Sequence, residues 1–261
     1  MTKEIIAEAK QAVKGNWWRI VGTVALMVVV VLLSALLNFI PVLGTIAYVL
    51  VAMYVAVGFT YYCFNVSKGH GKATEIFYPM QDADLRMAVL KLTGIVLLFA
   101  LGFGIVMGVL AIIPVIGPIL ALILYVWMFM FVIYYSVVSF ILFENPKMKV
   151  MDALKMSKEM TTGHRWTWFW MQFAVYLKPF LFLICGLILT VIIGFLSGGS
   201  SAFVGGGIVL TLTTIINTIH SIWVVILMPT VSMLTPVYYN KVKALSSKSP
   251  SSAEEINVTP Y

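Results

Sequence analysis

The chain has 261 residues, of which 61% are hydrophobic and only 10% carry a charge. Soluble globular domains carry roughly 25% charged residues, so a soluble fold is excluded, because no single core of this length could bury so much apolar surface. The net charge of +7 does not indicate nucleic-acid binding, because the basic residues stand between apolar runs of membrane-spanning length.

The apolar runs predict six transmembrane helices, since each holds the roughly 20 residues that a helix needs to cross hydrocarbon. In chain order the predicted spans are Ile20–Ile40, Ile46–Val66, Ala88–Ile113, Ile119–Phe143, about Trp168–Leu196 and about Ile208–Tyr238. The predicted fold class is all-α, a polytopic membrane helix bundle in one domain over residues 1–243. A disordered cytoplasmic tail is expected over residues 244–261.

Charge is distributed unevenly between the two sides of this bundle. The first, third and fifth connections carry no charge, at Pro41–Thr45, Pro114–Pro118 and Ser197–Gly207. Sixteen of the seventeen Lys and Arg residues fall in the tails or around the second and fourth connections, and the exception is Lys178 in the fifth span. The positive-inside rule therefore predicts that both termini are cytoplasmic.

An internal repeat divides the six spans into three hairpins. The segment Ile40–Gly44 recurs as Ile113–Gly117, and the pair Tyr61-Tyr62 recurs as Tyr134-Tyr135, in both cases 73 residues later. We expect three units, each a cytoplasmic amphipathic helix followed by a transmembrane hairpin, at about 1–72, 73–146 and 147–243.

The first amphipathic helix is predicted over Thr2–Lys14, ended by Gly15, and the third over about Lys147–Thr162. The middle copy, Thr74–Arg86, is interrupted by Pro79. One interpretation is that these helices lie on the membrane and dock against the bundle. The other is that the basic residues around them bind anionic lipid headgroups. The candidate headgroup residues are Arg19, Lys155, Lys158, His164, Arg165 and Trp166.

The sequence offers no catalytic, cofactor-binding or metal-binding constellation. No Asp or Glu lies between Leu85 and Phe143 or between Gly163 and Ala253, so the spans supply no carboxylate pair for acid–base chemistry. The two cysteines, Cys63 and Cys185, stand in apolar runs without metal-ligand spacing. We therefore expect no enzymatic activity and no cofactor.

Three polar residues inside predicted spans require an explanation. Lys178 lies either deep in the fifth span or, if Pro179 begins the true span, at the interface with its amine reaching the headgroups. Asn217 and His220 share a face of the sixth helix, where polar groups commonly form interhelical hydrogen bonds. The alternative is that all three residues line a path for a solute.

Four short segments carry recognisable motifs. They are an aromatic stretch at Val57–Val66, an acidic residue before Phe at Glu75–Phe77, a Gly-His pair at Gly163–Trp166 and a segment that begins with Pro at Pro229–Tyr239. Together they resemble a bacterial integral membrane family catalogued as domain of unknown function nine-seven-five. The resemblance covers most of residues 1–243 and implies a multi-pass protein of the bacterial plasma membrane. It implies no activity or ligand, and Lys178 departs from the family's pattern.

Two classes of function are expected. The first is a non-enzymatic protein that acts through lipid or protein-partner contacts at its basic cytoplasmic face. The second is a transporter or channel for a small solute, with a path lined by Lys178, Asn217 and His220. The expected partners are the lipid bilayer and anionic lipids in particular, with no nucleic acid, while a protein partner and a homo-oligomer both stay open.

Overall fold

The computed structural model is almost entirely helical. It describes residues 1–40, 43–114, 116–197 and 202–246. Helix makes up 91% of the structure, and no strand occurs in the described ranges. The α-helices are α1 (Thr2–Ala35), α2 (Leu43–Ser67), α3 (Tyr78–Gln81), α4 (Ala83–Ile112), α5 (Ile116–Tyr135), α6 (Val138–Glu144), α7 (Val150–Thr161), α8 (Arg165–Ser197) and α9 (Ala202–Ser246). Two 3₁₀ helices lie at Leu36–Phe39 and Ala73–Phe77.

Six helical segments are long and apolar enough to cross a membrane, which confirms the number predicted from the sequence. They are Thr2–Phe39, Leu43–Ser67, Ala83–Ile112, Ile116–Glu144, Arg165–Phe195 and Val209–Ser246. Helices suit this environment because hydrocarbon offers the backbone no hydrogen-bond partner, and a helix satisfies its own N–H and C=O groups.

The first helix is longer than the sequence predicted. The segment predicted as a separate amphipathic helix continues into the first span as α1, and the chain bends at Asn16, whose φ of −127° and ψ of 15° are not helical. The side-chain amide of Asn16 donates to the carbonyl of Ala12 at 3.1 Å. A local bend at Asn16 therefore replaces the helix end that was predicted at Gly15.

The fourth predicted span is broken into α5 and α6, which the sequence did not predict. The carbonyl of Tyr134 accepts hydrogen bonds from the hydroxyls of Ser157, at 2.8 Å, and Thr161, at 3.3 Å, both on α7. The hydroxyl of Ser136 caps the carbonyl of Ile133 at 2.8 Å. The break follows because side chains from another helix occupy the carbonyl that a continuous helix would use.

The last two helices contain prolines, and α9 begins earlier than predicted. Pro179 lies inside α8, within the predicted fifth span, and an interior proline removes one backbone hydrogen bond. α9 contains Pro229 and Pro236 and begins at Ala202, within the segment predicted as a connection. It continues to Ser246, and residues 247–261 of the predicted tail lie outside the described residues.

The turns between α1 and α2 and between α4 and α5 require glycine at equivalent places. The amides of Gly44 and Gly117 each donate to the carbonyl four residues earlier, at 2.9 and 3.2 Å. A Cβ atom on Gly44 would lie 1.7 Å from the carbonyl oxygen of Leu37, and one on Gly117 would lie 2.0 Å from that of Leu110. Both hairpins therefore close on a backbone contact that only glycine permits.

Apolar burial is concentrated at one end of the bundle. We call this the basic end, after the Lys and Arg residues that the sequence places on one side of the bundle. Lys241, near the end of α9, lies there and pairs with Glu4 and Glu8 of α1. Ile5 of α1 and Tyr62 of α2 belong to its core and are fully buried. By contrast, no residue in the most apolar 18-residue window of α4 is buried. The protein packs its core at the basic end and leaves the distal halves of the helices exposed.

α4 begins at a side-chain cap at this end. The carboxylate of Asp82 accepts from the backbone N–H of Leu85 at 2.9 Å and from the hydroxyl of Tyr78 at 3.2 Å. The Leu85 hydrogen bond is the main reason that the pKa of Asp82 lies below its usual value. Burial raises the pKa of the Tyr78 hydroxyl. The cap fixes the point at which the third span starts.

Gly58 allows the 3₁₀ helix Ala73–Phe77 to pack directly on α2. A Cβ atom at Gly58 would lie 1.7 Å from the carbonyl oxygen of Ile76, which is itself fully buried. Both sides of this contact are backbone, so neither can move aside without shifting a helix or the turn. Gly58 therefore sets the position of the chain that follows α2.

We predict that Gly58→Ala lowers the thermal stability of the purified protein, by roughly 1–3 kcal/mol, because the added methyl group overpacks a backbone contact. Gly104→Ala on α4 is the matched control, since a Cβ there meets nothing within 4 Å. The melting temperature in detergent measures both. Equal melting temperatures for the two variants would show that the contact at Gly58 can relax.

Candidate functional site

α7 is anchored to the break between α5 and α6, and this anchoring places the predicted headgroup residues around it. Arg165 donates to the hydroxyl of Tyr134 at 2.8 Å and is half-buried. The backbone carbonyl of His164 accepts from the hydroxyl of Tyr238 at 3.3 Å. Arg165 is therefore partly committed to holding the fold together.

Three other predicted headgroup residues are free to meet lipid. Lys155 and Lys158 on α7 are exposed, and Trp166 exposes 60% of its surface. None of the three lines any of the four cavities described for this structure. They form an open basic and aromatic surface without a pocket.

Arg19, the remaining predicted headgroup residue, lies in a groove. Trp18, Arg19, Gly22 and Thr23 of α1 form one wall, and residues 70–73 form the other, enclosing about 800 Å³. We call this the α1 groove. It brings Arg19 together with His70 and Lys72, and no carboxylate is among its lining residues. Such a site favours an anion.

The loop that forms the second wall is held in place by its own hydrogen bonds. Gly69 has a φ of +85° and closes the end of α2, with its amide donating to the carbonyl of Val66 at 3.0 Å. The side-chain amide of Asn65 donates to the carboxylate of Glu75 at 2.8 Å. Gly58 packs against the 3₁₀ helix that follows Lys72, and Gly69 ends α2 before it. The backbone is therefore held in place both before and after Lys72.

A buried polar group lies next to the α1 groove. The hydroxyl of Tyr62 is fully buried and has no hydrogen-bond partner among the described residues. It lies near Thr23, a groove residue whose own hydroxyl donates to the carbonyl of Arg19 at 2.8 Å. Tyr62 is not among the lining residues of the groove, so its hydroxyl belongs to the packing beside the site.

The predicted solute path lies elsewhere, on α8 and α9. Lys178 is exposed, thirteen residues after the start of α8 at Arg165. The amide of Asn217 donates to the carbonyl of Thr213 on its own helix at 2.8 Å, and His220 is half-buried. These three candidates do not line any of the four cavities described for this structure.

A second cavity, of about 370 Å³, lies where three parts of the chain converge. Its walls come from α2, from the break between α5 and α6 with the start of α6, and from α8 and α9. We call it the polar cavity, because six of its lining residues carry hydroxyl or amide groups: Thr60, Ser136, Ser139, Gln172, Ser232 and Thr235.

A cluster of polar contacts centred on Glu144 closes the basic end beside this cavity. The Glu144 carboxylate accepts from the amine of Lys68 at 2.8 Å and from the hydroxyl of Tyr239 at 2.6 Å, and it also pairs with Lys243. The amine of Lys68 lies 3.9 Å from the ring centre of Phe64. Glu144, the last residue of α6, therefore joins that helix to α9 and to Lys68, the residue that follows α2.

This geometry defines the class: an α-helical, multi-pass membrane protein with its packed core at one end. No family model matches the chain, and neither a curated protein nor a solved structure does. The resemblance to the bacterial family therefore remains an expectation that rests on the four segments quoted above.

Sequence reasoning found Arg19 but missed the residues around it. His70 and Lys72 were not among the predicted headgroup residues, and only the fold brings them to α1. The hydroxyl residues of the polar cavity carry no sequence signal, because isolated Ser and Thr are common in apolar helices. Glu144 could have been found, since it is the last carboxylate before a basic stretch.

We predict that Glu144→Ala lowers thermal stability by roughly 2 kcal/mol, because two amines and a hydroxyl lose a charged partner. Glu8→Ala is the matched control, since Glu8 is exposed and its pair with Lys241 contributes little. Melting temperatures of both variants provide the comparison. A loss no larger in Glu144→Ala than in Glu8→Ala would contradict the central role given to Glu144.

Proposed function

We propose that this is a non-enzymatic protein of a bacterial plasma membrane that binds anionic phospholipid at its basic, cytoplasmic face, with the headgroup in the α1 groove. The observation that carries the proposal is the α1 groove itself, where Arg19, Lys72 and Trp18 come together without a carboxylate.

The orientation is supported by charge. Sixteen of the seventeen Lys and Arg residues belong to one side of the chain, as the positive-inside rule requires of a cytoplasmic face. Anionic lipids give the cytoplasmic surface a negative potential, which attracts basic segments there. We accordingly propose that both termini are cytoplasmic.

The repeat is supported by the two glycine turns. Gly44 and Gly117 make the same hydrogen bond and the same backbone contact, 73 residues apart. We propose three hairpins of common design, of which the first contributes most of the α1 groove and the third carries the prolines.

The chemistry of the groove fits a phospholipid. Guanidinium and ammonium groups are the usual donors to phosphate oxygens, and Arg19 and Lys72 supply one of each. Trp18 exposes 81% of its surface, and an exposed indole suits the headgroup layer. The phosphate and the glycerol backbone would therefore lie between α1 and the loop at residues 70–73.

An apolar track leads away from the groove along α1. Gly22, Leu26, Val29 and Leu33 share one helical face with Trp18, at spacings of three and four residues. Leu26, Val29 and Leu33 expose 36%, 51% and 61% of their surfaces. A lipid whose phosphate occupies the groove could lay an acyl chain along this face.

The proposal is tested by titrating the detergent-purified protein with phosphatidylglycerol and, separately, with phosphatidylcholine of the same acyl chains, and counting bound lipid by native mass spectrometry. We expect the wild type to prefer phosphatidylglycerol. Each basic residue near an anionic lipid contributes about 1 kcal/mol, so R19Q/K72Q should weaken phosphatidylglycerol binding by about 30-fold.

Two control variants remove the same charge elsewhere on the basic face. K10Q/K14Q changes exposed lysines of α1 outside the groove, and K155Q/K158Q changes the open surface of α7. We expect both to keep most of the preference. Equal losses in all three variants would indicate general attraction to the basic face and contradict a headgroup site in the groove.

A further inference from the structure

The polar cavity is built by all three predicted hairpins at once. Thr60 comes from α2, Ser136 and Ser139 from the second hairpin, and Gln172 and Thr235 from α8 and α9. The cavity does not share a single lining residue with the α1 groove. A separate explanation is therefore needed for six polar side chains gathered within apolar helices.

Part of this polarity is left without an internal partner. The hydroxyls of Thr60 and Ser232 donate to carbonyls of their own helices, at 3.0 and 2.7 Å. The amide of Gln172 approaches the hydroxyl of Thr235 only at 3.5 Å, the limit of a hydrogen bond. The hydroxyl of Ser136 likewise donates to the carbonyl of Ile133, at 2.8 Å, whereas the side-chain hydroxyl of Ser139 makes no hydrogen bond within the described ranges. The cavity thus retains both donors and acceptors for a ligand.

The cavity is closed on the side of the basic end by aromatic rings. Phe140 lines the cavity, and its ring centre lies 5.3 Å from that of Phe64 and 5.5 Å from that of Tyr239. Tyr239 is in turn held by Glu144. A ligand would therefore contact the ring of Phe140, while Tyr239 and Glu144 are not among the lining residues.

The composition of the lining selects the kind of ligand. No lining residue carries a formal charge, so an ion entering the cavity would lose its hydration without gaining a counter-charge. The volume of about 370 Å³ is at the lower end of the roughly 300–1,000 Å³ typical of small-molecule sites. The hydroxyl and amide groups can hydrogen-bond to hydroxyls of a ligand, while Phe59, Phe140, Val231 and Pro236 offer apolar contacts to its carbon atoms.

We infer that the polar cavity binds an uncharged polyhydroxyl group, supplied either by a small soluble polyol or by the headgroup of a neutral glycerolipid. The inference is independent of the headgroup site in the α1 groove, because the two sites have different walls and opposite charge requirements.

The test places a reporter thiol inside the cavity. Ser139→Cys is made in a Cys185→Ala background that retains Cys63, because Cys63 is a buried lining residue of the cavity. Methyl methanethiosulfonate labelling at position 139 is followed by mass spectrometry in nanodiscs. The control is Thr214→Cys in the same background, at an exposed position of α9 that does not line the cavity. Glycerol, myo-inositol and glucose represent soluble polyols, diacylglycerol represents the neutral lipid, and glycerol 3-phosphate is the charged counterpart.

We expect a polyol or diacylglycerol to slow labelling of Ser139→Cys by at least about fivefold and to leave Thr214→Cys unchanged. Protection by a soluble polyol identifies a free solute, and protection by diacylglycerol alone identifies a lipid; both support the site. Absence of protection by every compound overturns it. Equal protection by glycerol 3-phosphate overturns the requirement for an uncharged group.

A pair of substitutions separates binding from folding. Thr235→Val removes the hydroxyl with little change in shape and should raise the concentration needed for half-protection by about fivefold. Thr235→Ser retains the hydroxyl and should preserve protection. If the ligand concentration needed for half-protection is the same in the two variants, Thr235 does not bind the ligand and the assignment fails. R19Q/K72Q should leave protection unchanged, because those residues line the other site.

Discussion

Lipid gives this chain little reason to bury apolar side chains inside the bilayer, because hydrocarbon solvates them as well as a protein core does. The gain from burial is available only where the helices reach water, and the buried residues Ile5, Tyr62 and Tyr239 all belong to that end. Glu144 ties α6 to α9 and to Lys68, the residue that follows α2, at the same level. Both candidate sites are positioned by this one packed layer.

α2 is the element that the two sites share. Its last turn leads through Gly69 into the wall of the α1 groove, while Thr60 and Cys63 line the polar cavity. Gly58 lies between them and holds the following 3₁₀ helix against α2. α2 therefore contributes to the positioning of both sites, although the two have no lining residue in common.

The spans were predictable because an apolar run of sufficient length has one stable form in lipid, and the turns at Gly44 and Gly117 were visible as repeated motifs. The break at Ser136 was not, since it depends on hydroxyls of α7 that are distant in sequence. Only part of the α1 groove could be predicted. Arg19 follows a Trp pair at a span boundary, but Lys72 is brought into the same groove by the fold. Lys178 was a candidate because a charge inside an apolar span is rare, and it lines none of the four cavities described for this structure.

The pairing of Lys241 with Glu4 and Glu8 means that the first and last of the described helices meet. During synthesis α1 is made before α9, so the part of α1 that α9 covers stays open until α9 has been made. Nascent chains that stop short of α9 would keep that part of α1 uncovered, which offers quality-control proteases a direct signal of incompleteness. The contact between α1 and α9 is thus among the last of the described helix contacts to form.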